Sequence, residues 1–172
     1  SVREAAQKAS NEPISALSFC SQGETMIAVD KYGNPIRPAF MNADNRGTQE
    51  MRNLISQISR EDLYQITGEP VHTMFGVSEV MWFKTNEPDL YTQTYKMVSC
   101  EDFIMMKLGF PPVCNYSNCC RTFMFDIRRH DWSDDILNAA GISRKKLGLP
   151  VPSGQFIGYL NKTSAELLGL SQ

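Results

Sequence analysis

Between Ile14 and Met41 three short apolar runs are separated by turn residues, and from Met51 onward the apolar spacing changes to that of helices. A chain written this way has to bury a sheet face and several helix faces together, which restricts it to an α/β or α+β architecture. Ile14-Ser15-Ala16-Leu17-Ser18-Phe19 is apolar and partly alternating and reads as a first strand. Thr25-Met26-Ile27-Ala28-Val29 reads as a second, and residues 36–41 as a third that completes a meander. Asp30-Lys31-Tyr32-Gly33-Asn34 supplies the turn between them, with Gly33 free to take positive φ.

The helical part has its own punctuation. Met51, Leu54, Ile55 and Ile58 fall at i, i+3, i+4 and i+7, an amphipathic stripe. Ser59 can cap the next segment, which Gly68 ends. Residues 80–84, carrying Trp82, are expected to be helical. Residues 101–108 have acids in the first turn, Lys107 in the last and Gly109 after it, as the helix dipole favours. Ser133, Asp134, Asp135 and Gly141 repeat that grammar. Val2, Ala5, Ala6 and Ala9 share a face and suit the end of a helix, residues 122–127 and 155–160 read as short strands, and Thr163-Ser164-Ala165-Glu166 has capping-box spacing for a last helix. The densest break, Leu149-Pro150-Val151-Pro152-Ser153-Gly154, reads as a loop or an approach to another element. A chain that begins in a helix and stops just after one is expected to be a fragment of a larger fold.

Composition narrows the functions. The 172 residues suffice for one domain with a sizeable core. Lys plus Arg is 17 against 19 for Asp plus Glu, a net charge of -2, so no basic excess points to nucleic acid or an anionic membrane surface. No apolar run approaches the length of a membrane-spanning helix. Ser1-Val2-Arg3-Glu4 shows no secretion signal, and the five cysteines are irregularly spaced, so reduced thiols and a cytoplasmic location are expected.

Local chemistry names no reaction. There is no GxSxG elbow, no HExxH and no GxxxxGK[ST] phosphate loop, and neither His72 nor His130 neighbours a nucleophile pattern. Ser21-Gln22-Gly23-Glu24-Thr25 joins the first two strands; Gln22 offers donor and acceptor and Glu24 an acceptor, a pair able to grip vicinal hydroxyls or simply to form a solvated turn. In Asn42-Ala43-Asp44-Asn45-Arg46, Asp44 can cap the following helix and Arg46 can pair with an acid. Trp82 is read as core in preference to a sugar-stacking platform.

Taken in order, these segments resemble the FGGY family of carbohydrate kinases. Residues Ile14 to Thr25 look like the family strand leading into a Gln-x-Glu-Thr turn, and Asp30-Lys31-Tyr32-Gly33-Asn34-Pro35-Ile36 like its D-x-x-G-x-P-L turn. Pro38 to Arg46 looks like P-A-I-x-W-x-D-x-R, and Thr67-Gly68 like the T-G before the substrate loop. Val80-Met81-Trp82 resembles the K-L-x-W helix, and Asn86-Glu87-Pro88-Asp89-Leu90-Tyr91 the N-x-P-E-x-Y after it. Asn115 to Asp126 resembles D-x-S-x-A-S-R-T-x-L-F-D; Trp132-Ser133 and Leu149-Pro150 complete the pattern.

The resemblance implies an actin-like, ribonuclease-H-like domain, present here as most of the first, sugar-binding domain (residues 1–172) without its first hairpin. It implies transfer of the γ-phosphoryl of MgATP to a sugar or polyol hydroxyl by the full-length parent, with ATP and Mg2+ bound outside this chain and no cofactor or metal ligand in it. The hairpin's D-x-G-T turn and the G-x-x-D-N segment with the catalytic Asp lie outside the chain, so no catalytic residue is assigned within it, and the isolated chain is expected to be inactive and to self-associate. Gln22 and Glu24 are implied as hydroxyl-binding groups, and Asn42 and Met74 as pocket-shaping residues. Gly23 occupies a position where glycerol kinases carry Arg, Asn42 replaces the motif's Trp, and Met74 replaces a substrate-facing Tyr, so a xylulose-type ketose or a sugar acid is favoured over glycerol. Asp44 and Arg46 either contact substrate or hold the strand-to-helix corner. A noncatalytic sugar-binding or interaction module is the alternative function. The discriminating observation is whether those two flanking motifs exist in the parent gene.

Overall fold

The computed structural model describes residues 1–9, 14–41 and 44–170. Chain order is α1 (Val2–Lys8), β1 (Ile27–Val29), α2 (Thr48–Gln57), α3 (Arg60–Thr67), α4 (Gly76–Asn86), α5 (Pro88–Gln93), β2 (Lys96–Val98), α6 (Cys100–Lys107), β3 (Val113–Asn115), α7 (Tyr116–Arg121), β4 (Phe125–Asp126), β5 (Asp131–Trp132), α8 (Asp134–Ala140), β6 (Leu149–Val151) and α9 (Lys162–Leu168). A short 3-10 turn, Arg144–Lys146, precedes β6.

The strands pair in short pieces: β1 with β2 antiparallel, β3 with β6 parallel, and β4 with β5 antiparallel. A parallel bridge between Met97 and Leu147 sets the run that enters β6 beside β2. Successive residues of β1 face opposite ways. Met26 and Ala28 join the main core with Phe40, Leu54, Phe83 and Phe123, while Ile27 and Val29 form a smaller cluster with Val98 against Phe103 and Met106 of α6. Covering on both faces makes this strand apolar throughout where a surface strand would alternate.

The helix punctuation is realised. Ser59 accepts from the Asp62 amide at 3.0 Å and Gly68 closes α3 at φ 73. Ser133 accepts from the Ile136 amide, and Gly141 closes α8 at φ 63. The stripe through Met51, Leu54, Ile55 and Ile58 falls on α2 and its C-cap. All five cysteines are free thiols.

The strand expectations are corrected in four places. Residues 14–20 form no regular element and are largely exposed. Residues 36–41 are no continuous strand: the Ile36 amide donates to Ala28 O and the Phe40 amide to Met26 O, so a four-residue step faces a two-residue one. Pro38, lacking an N–H, cannot extend a ladder through that bulge. Within 122–127 only Phe125–Asp126 is strand, because Thr122 caps α7 and Phe123, fully buried, turns the chain through left-handed φ 63. Residues 155–160 hold no strand; the pairing strand is Leu149–Val151, inside the proline-rich break. The last helix also starts earlier than expected, with Asn161 as its N-cap accepting from the Ser164 amide at 2.8 Å. Unanticipated were α5, α7, β2, β3 and β5. Among the described residues no helix is long and apolar enough to cross a membrane.

Candidate functional site

The turn that leads into β1 carries Gln22, Gly23 and Glu24, and it lies against the end of α7. Gln22 is exposed, and its Nε2 donates to Thr25 Oγ1 at 2.5 Å. Glu24 points at Arg121, the last residue of α7: Arg121 Nε donates to Glu24 Oε1 at 2.6 Å, and Nη2 pairs with the same oxygen. The other arm of the guanidinium, Nη1, reaches Glu69 Oε1 at 2.7 Å. Burial pulls the Arg121 pKa down, but the two carboxylates outweigh it and hold the charge firmly in place.

A polar shelf continues beyond Gly23. Asn115 caps α7 by accepting from the Asn118 amide at 3.1 Å. Its Nδ2 and that of Asn118 donate to the two oxygens of Glu101 at 2.9 and 3.0 Å. Neutral amides that hold a carboxylate from both sides fix its position without adding charge.

Asp44 is drawn to a second cluster. Its Oδ2 pairs with Arg46 Nε at 2.7 Å and its Oδ1 accepts the Arg46 amide at 3.0 Å. Burial pushes the Asp44 carboxyl up, yet these Arg46 contacts outweigh it and leave it below the usual carboxylate range. Asp44 therefore braces the strand-to-helix corner through Arg46; the N-cap of α2 is Gly47, without a side-chain cap. Arg46 in turn lies 4.7 Å over the Trp82 ring, and Phe40 meets Trp82 edge-on, so Trp82 packs on the core with Arg46 on its face. Met74 is half-buried against the main core and its amide donates to the exposed His72 Nδ1 at 3.0 Å. Asn42 lies outside the described residues.

The start of α4 joins the two clusters. Phe75, its N-cap, lies under Arg121 with the guanidinium carbon 5.0 Å from the ring centroid. Four residues on, Glu79 is 1% exposed and neither carboxylate oxygen makes a well-aligned hydrogen bond. Glu69 and Glu79 carry no local signal as site residues, and Arg121 carries only its place in the motif that runs from Asn115 to Asp126. Arg121 stands 97 positions from its partner Glu24, and no spacing pattern reads contacts at that range. Among the described residues no group of three or more His, Cys, Asp and Glu side chains is placed to hold a metal ion.

Comparison with known proteins identifies the lineage. The chain is 29% identical over 157 residues to a xylulose kinase of Staphylococcus xylosus, covering 91% of this chain and 32% of that protein. It is 30% identical over 174 residues to a glycerol kinase of Thermococcus onnurineus, covering 98% and 34%. A crystal structure of gluconate kinase from Lactobacillus acidophilus superposes with a TM-score of 0.88 at 19% identity, over 99% of this chain and 34% of that one. The chain thus spans about a third of the length of these relatives. The shared fold is the actin-like, ribonuclease-H-like one. The model of the N-terminal domain of the FGGY family of carbohydrate kinases matches residues 1–172, and the chain belongs to that family.

Proposed function

We propose that residues 1–172 are the sugar-binding domain of an ATP-dependent carbohydrate kinase that phosphorylates a hydroxyl of a ketose or sugar acid. The observation that carries the proposal is Glu24: a half-buried carboxylate at the head of a strand, held in one orientation by an arginine, beside the exposed amide of Gln22. A fixed carboxylate accepts hydrogen bonds from two neighbouring hydroxyls, and an amide beside it can give as well as take, which is the chemistry of polyol recognition. Gly23 adds no side chain beside them, and Met74 adds an apolar, unbranched one, so neither supplies the polar contacts that a three-carbon polyol would need. Phosphoryl transfer rests on positioning and charge stabilisation more than on covalent chemistry, so a domain that fixes the acceptor hydroxyl performs a complete part of the task.

The described residues offer MgATP no glycine-rich phosphate cradle and no group of three or more His, Cys, Asp and Glu side chains placed to hold a metal ion. The proposal therefore assigns nucleotide, Mg2+ and the base that takes the hydroxyl proton to the remainder of the parent protein, and no step is derived through them.

The test is ADP release by the full-length parent with MgATP and, separately, pentuloses, sugar acids and glycerol. Faster turnover of a ketose or a sugar acid than of glycerol is expected. Saturable sugar binding without ADP release would support a noncatalytic module in its place, and preference for glycerol would overturn the specificity reading.

A further inference from the structure

Arg121 is more constrained than an ion pair alone requires. Its Nε and Nη2 both meet Glu24 Oε1, its Nη1 meets Glu69 Oε1 at 2.7 Å, and its flat face rests on Phe75. Phe75 is itself stacked on Phe123, ring centroids 5.1 Å apart and planes 8° from parallel, and both rings are buried. A planar guanidinium with two anionic partners and a ring beneath it has little freedom to turn. Both hydrogen-bonding contacts to Glu24 fall on one oxygen, and among the described residues no hydrogen bond reaches Oε2.

The approach of Arg121 depends on Gly23. A Cβ at position 23 would stand 2.6 Å from Arg121 Cγ and 2.7 Å from its Cβ, with Asn118 Oδ1 at 3.2 Å. The missing side chain is the space in which the arginine stem lies. The residue next to Glu24 in sequence and the residue bound to it across the fold are therefore matched to each other.

We propose that Arg121 is the positioning residue of the polyol site: anchored by Glu69 and Phe75 and admitted by Gly23, it fixes Glu24 through Oε1 and leaves Oε2 as the acceptor for a substrate hydroxyl. This rests on the sugar-binding reading of Glu24. Arg121 acts through Glu24 and does not itself touch the sugar.

The experiment is a double-mutant cycle in the full-length protein, read as affinity for D-xylulose and D-gluconate by calorimetry and as KM and kcat. Arg121→Lys keeps the charge but cannot span both carboxylates in one plane; it is expected to weaken binding about tenfold, chiefly in KM. In a Glu24→Gln background the same change should add almost nothing, because coupled residues are not additive. Glu69→Gln, which leaves Arg121 and Glu24 in place, serves if Arg121→Lys does not fold; it should weaken binding severalfold, again only while Glu24 is present. Additive losses, or unchanged affinity in the single variants, overturn the positioning role while leaving the sugar-binding reading intact. A wild-type protein that binds neither sugar nor any related polyol overturns both.

Discussion

The Glu79 carboxyl is buried within reach of the Asp44 charge, and neither Glu79 oxygen makes a well-aligned hydrogen bond. Burial, and after it the Asp44 charge, push the Glu79 pKa up to about 9; the Met26 amide, Arg46 and Arg37 pull the other way without matching them. Asp44, which Arg46 holds in its charged form, keeps its own proton off. The two carboxyls have opposite protonation states at neutral pH because Glu79 is buried away from water while Asp44 is paired with Arg46.

Stability follows with a definite sign. Glu79 holds its proton in the fold up to about 9 but releases it near its ordinary value of 4.5 when the chain unfolds. Folding is therefore favoured fully below that lower value, and stability falls as pH rises through the window between the two, by at most about 1.4 kcal/mol per pH unit. Glu79→Gln, neutral at every pH, should gain on the wild type steadily from pH 6 to pH 9. Denaturant unfolding at several pH values measures the difference, and parallel curves for the two proteins would show that Glu79 is not the titrating group.

Gly47 and Gly154 separate two costs of adding a methyl group. At Gly47 a Cβ would meet the Ser78 carbonyl oxygen at 2.5 Å and its carbon at 2.7 Å, while φ is an ordinary -78. The obstacle is backbone of α4, which cannot swing aside, so Gly47→Ala should cost about 1–3 kcal/mol by separating α2 from α4. At Gly154 nothing lies within 4 Å but φ is +81. Gly154→Ala should cost about 1 kcal/mol from backbone strain alone. Equal losses in thermal unfolding would contradict this division.

The helix ends were legible because their causes are local. Ser59, Gly68, Ser133 and Gly141 act on amides or carbonyls within one turn, and the structure puts each where the sequence grammar does. Strands were less legible because pairing defines them. Val113–Asn115 is a strand by virtue of Leu149–Val151, a proline-containing run with no strand pattern of its own. Residues 155–160 have the apolar pattern and no pairing, and they leave Phe156 and Tyr159 65% and 88% exposed. The site divides the same way. Gln22 and Glu24 were singled out by the family resemblance, since their local chemistry suits a solvated turn as well, whereas Glu69, Glu79 and the pairing of Arg121 with Glu24 acquire meaning only from contacts across the fold.

Ser99 illustrates a cap whose value depends on burial. Its hydroxyl accepts from the Asp102 amide and the Asp102 carboxylate accepts from the Ser99 amide, a reciprocal pair closed off from water. Burial also pushes the Asp102 carboxyl up to about 6, against the Ser99 amide and hydroxyl that hold it down. Ser99→Ala removes one of those groups and leaves a buried amide unsatisfied. A loss of about 1–2 kcal/mol is expected, at the upper part of the range for caps. The same substitution at the exposed Ser1, which makes the same reciprocal pair on α1, should cost much less. Urea midpoints of the two variants decide it, and indistinguishable midpoints would count against burial as the cause.

Gly23→Ala tests the match between Gly23 and Arg121 from the other side. Of the atoms that an added Cβ meets, Arg121 Cγ can swing aside by rotation about χ1, but Arg121 Cβ is fixed by the backbone of α7, so the turn or the end of α7 must also shift. The fold should survive with a stability loss of about 1–3 kcal/mol. The guanidinium, once displaced, leaves Glu24 Oε1 without its partner and frees the carboxylate to turn. Affinity for the sugar should then fall by about the same factor as in Arg121→Lys, roughly tenfold, and combining the two changes should cost little more than either alone. Calorimetric titration of the three proteins, with thermal unfolding as a control, separates this from general damage. An alanine variant that melts near the wild-type temperature and binds sugar with wild-type affinity would mean that Arg121 does not need the space Gly23 leaves.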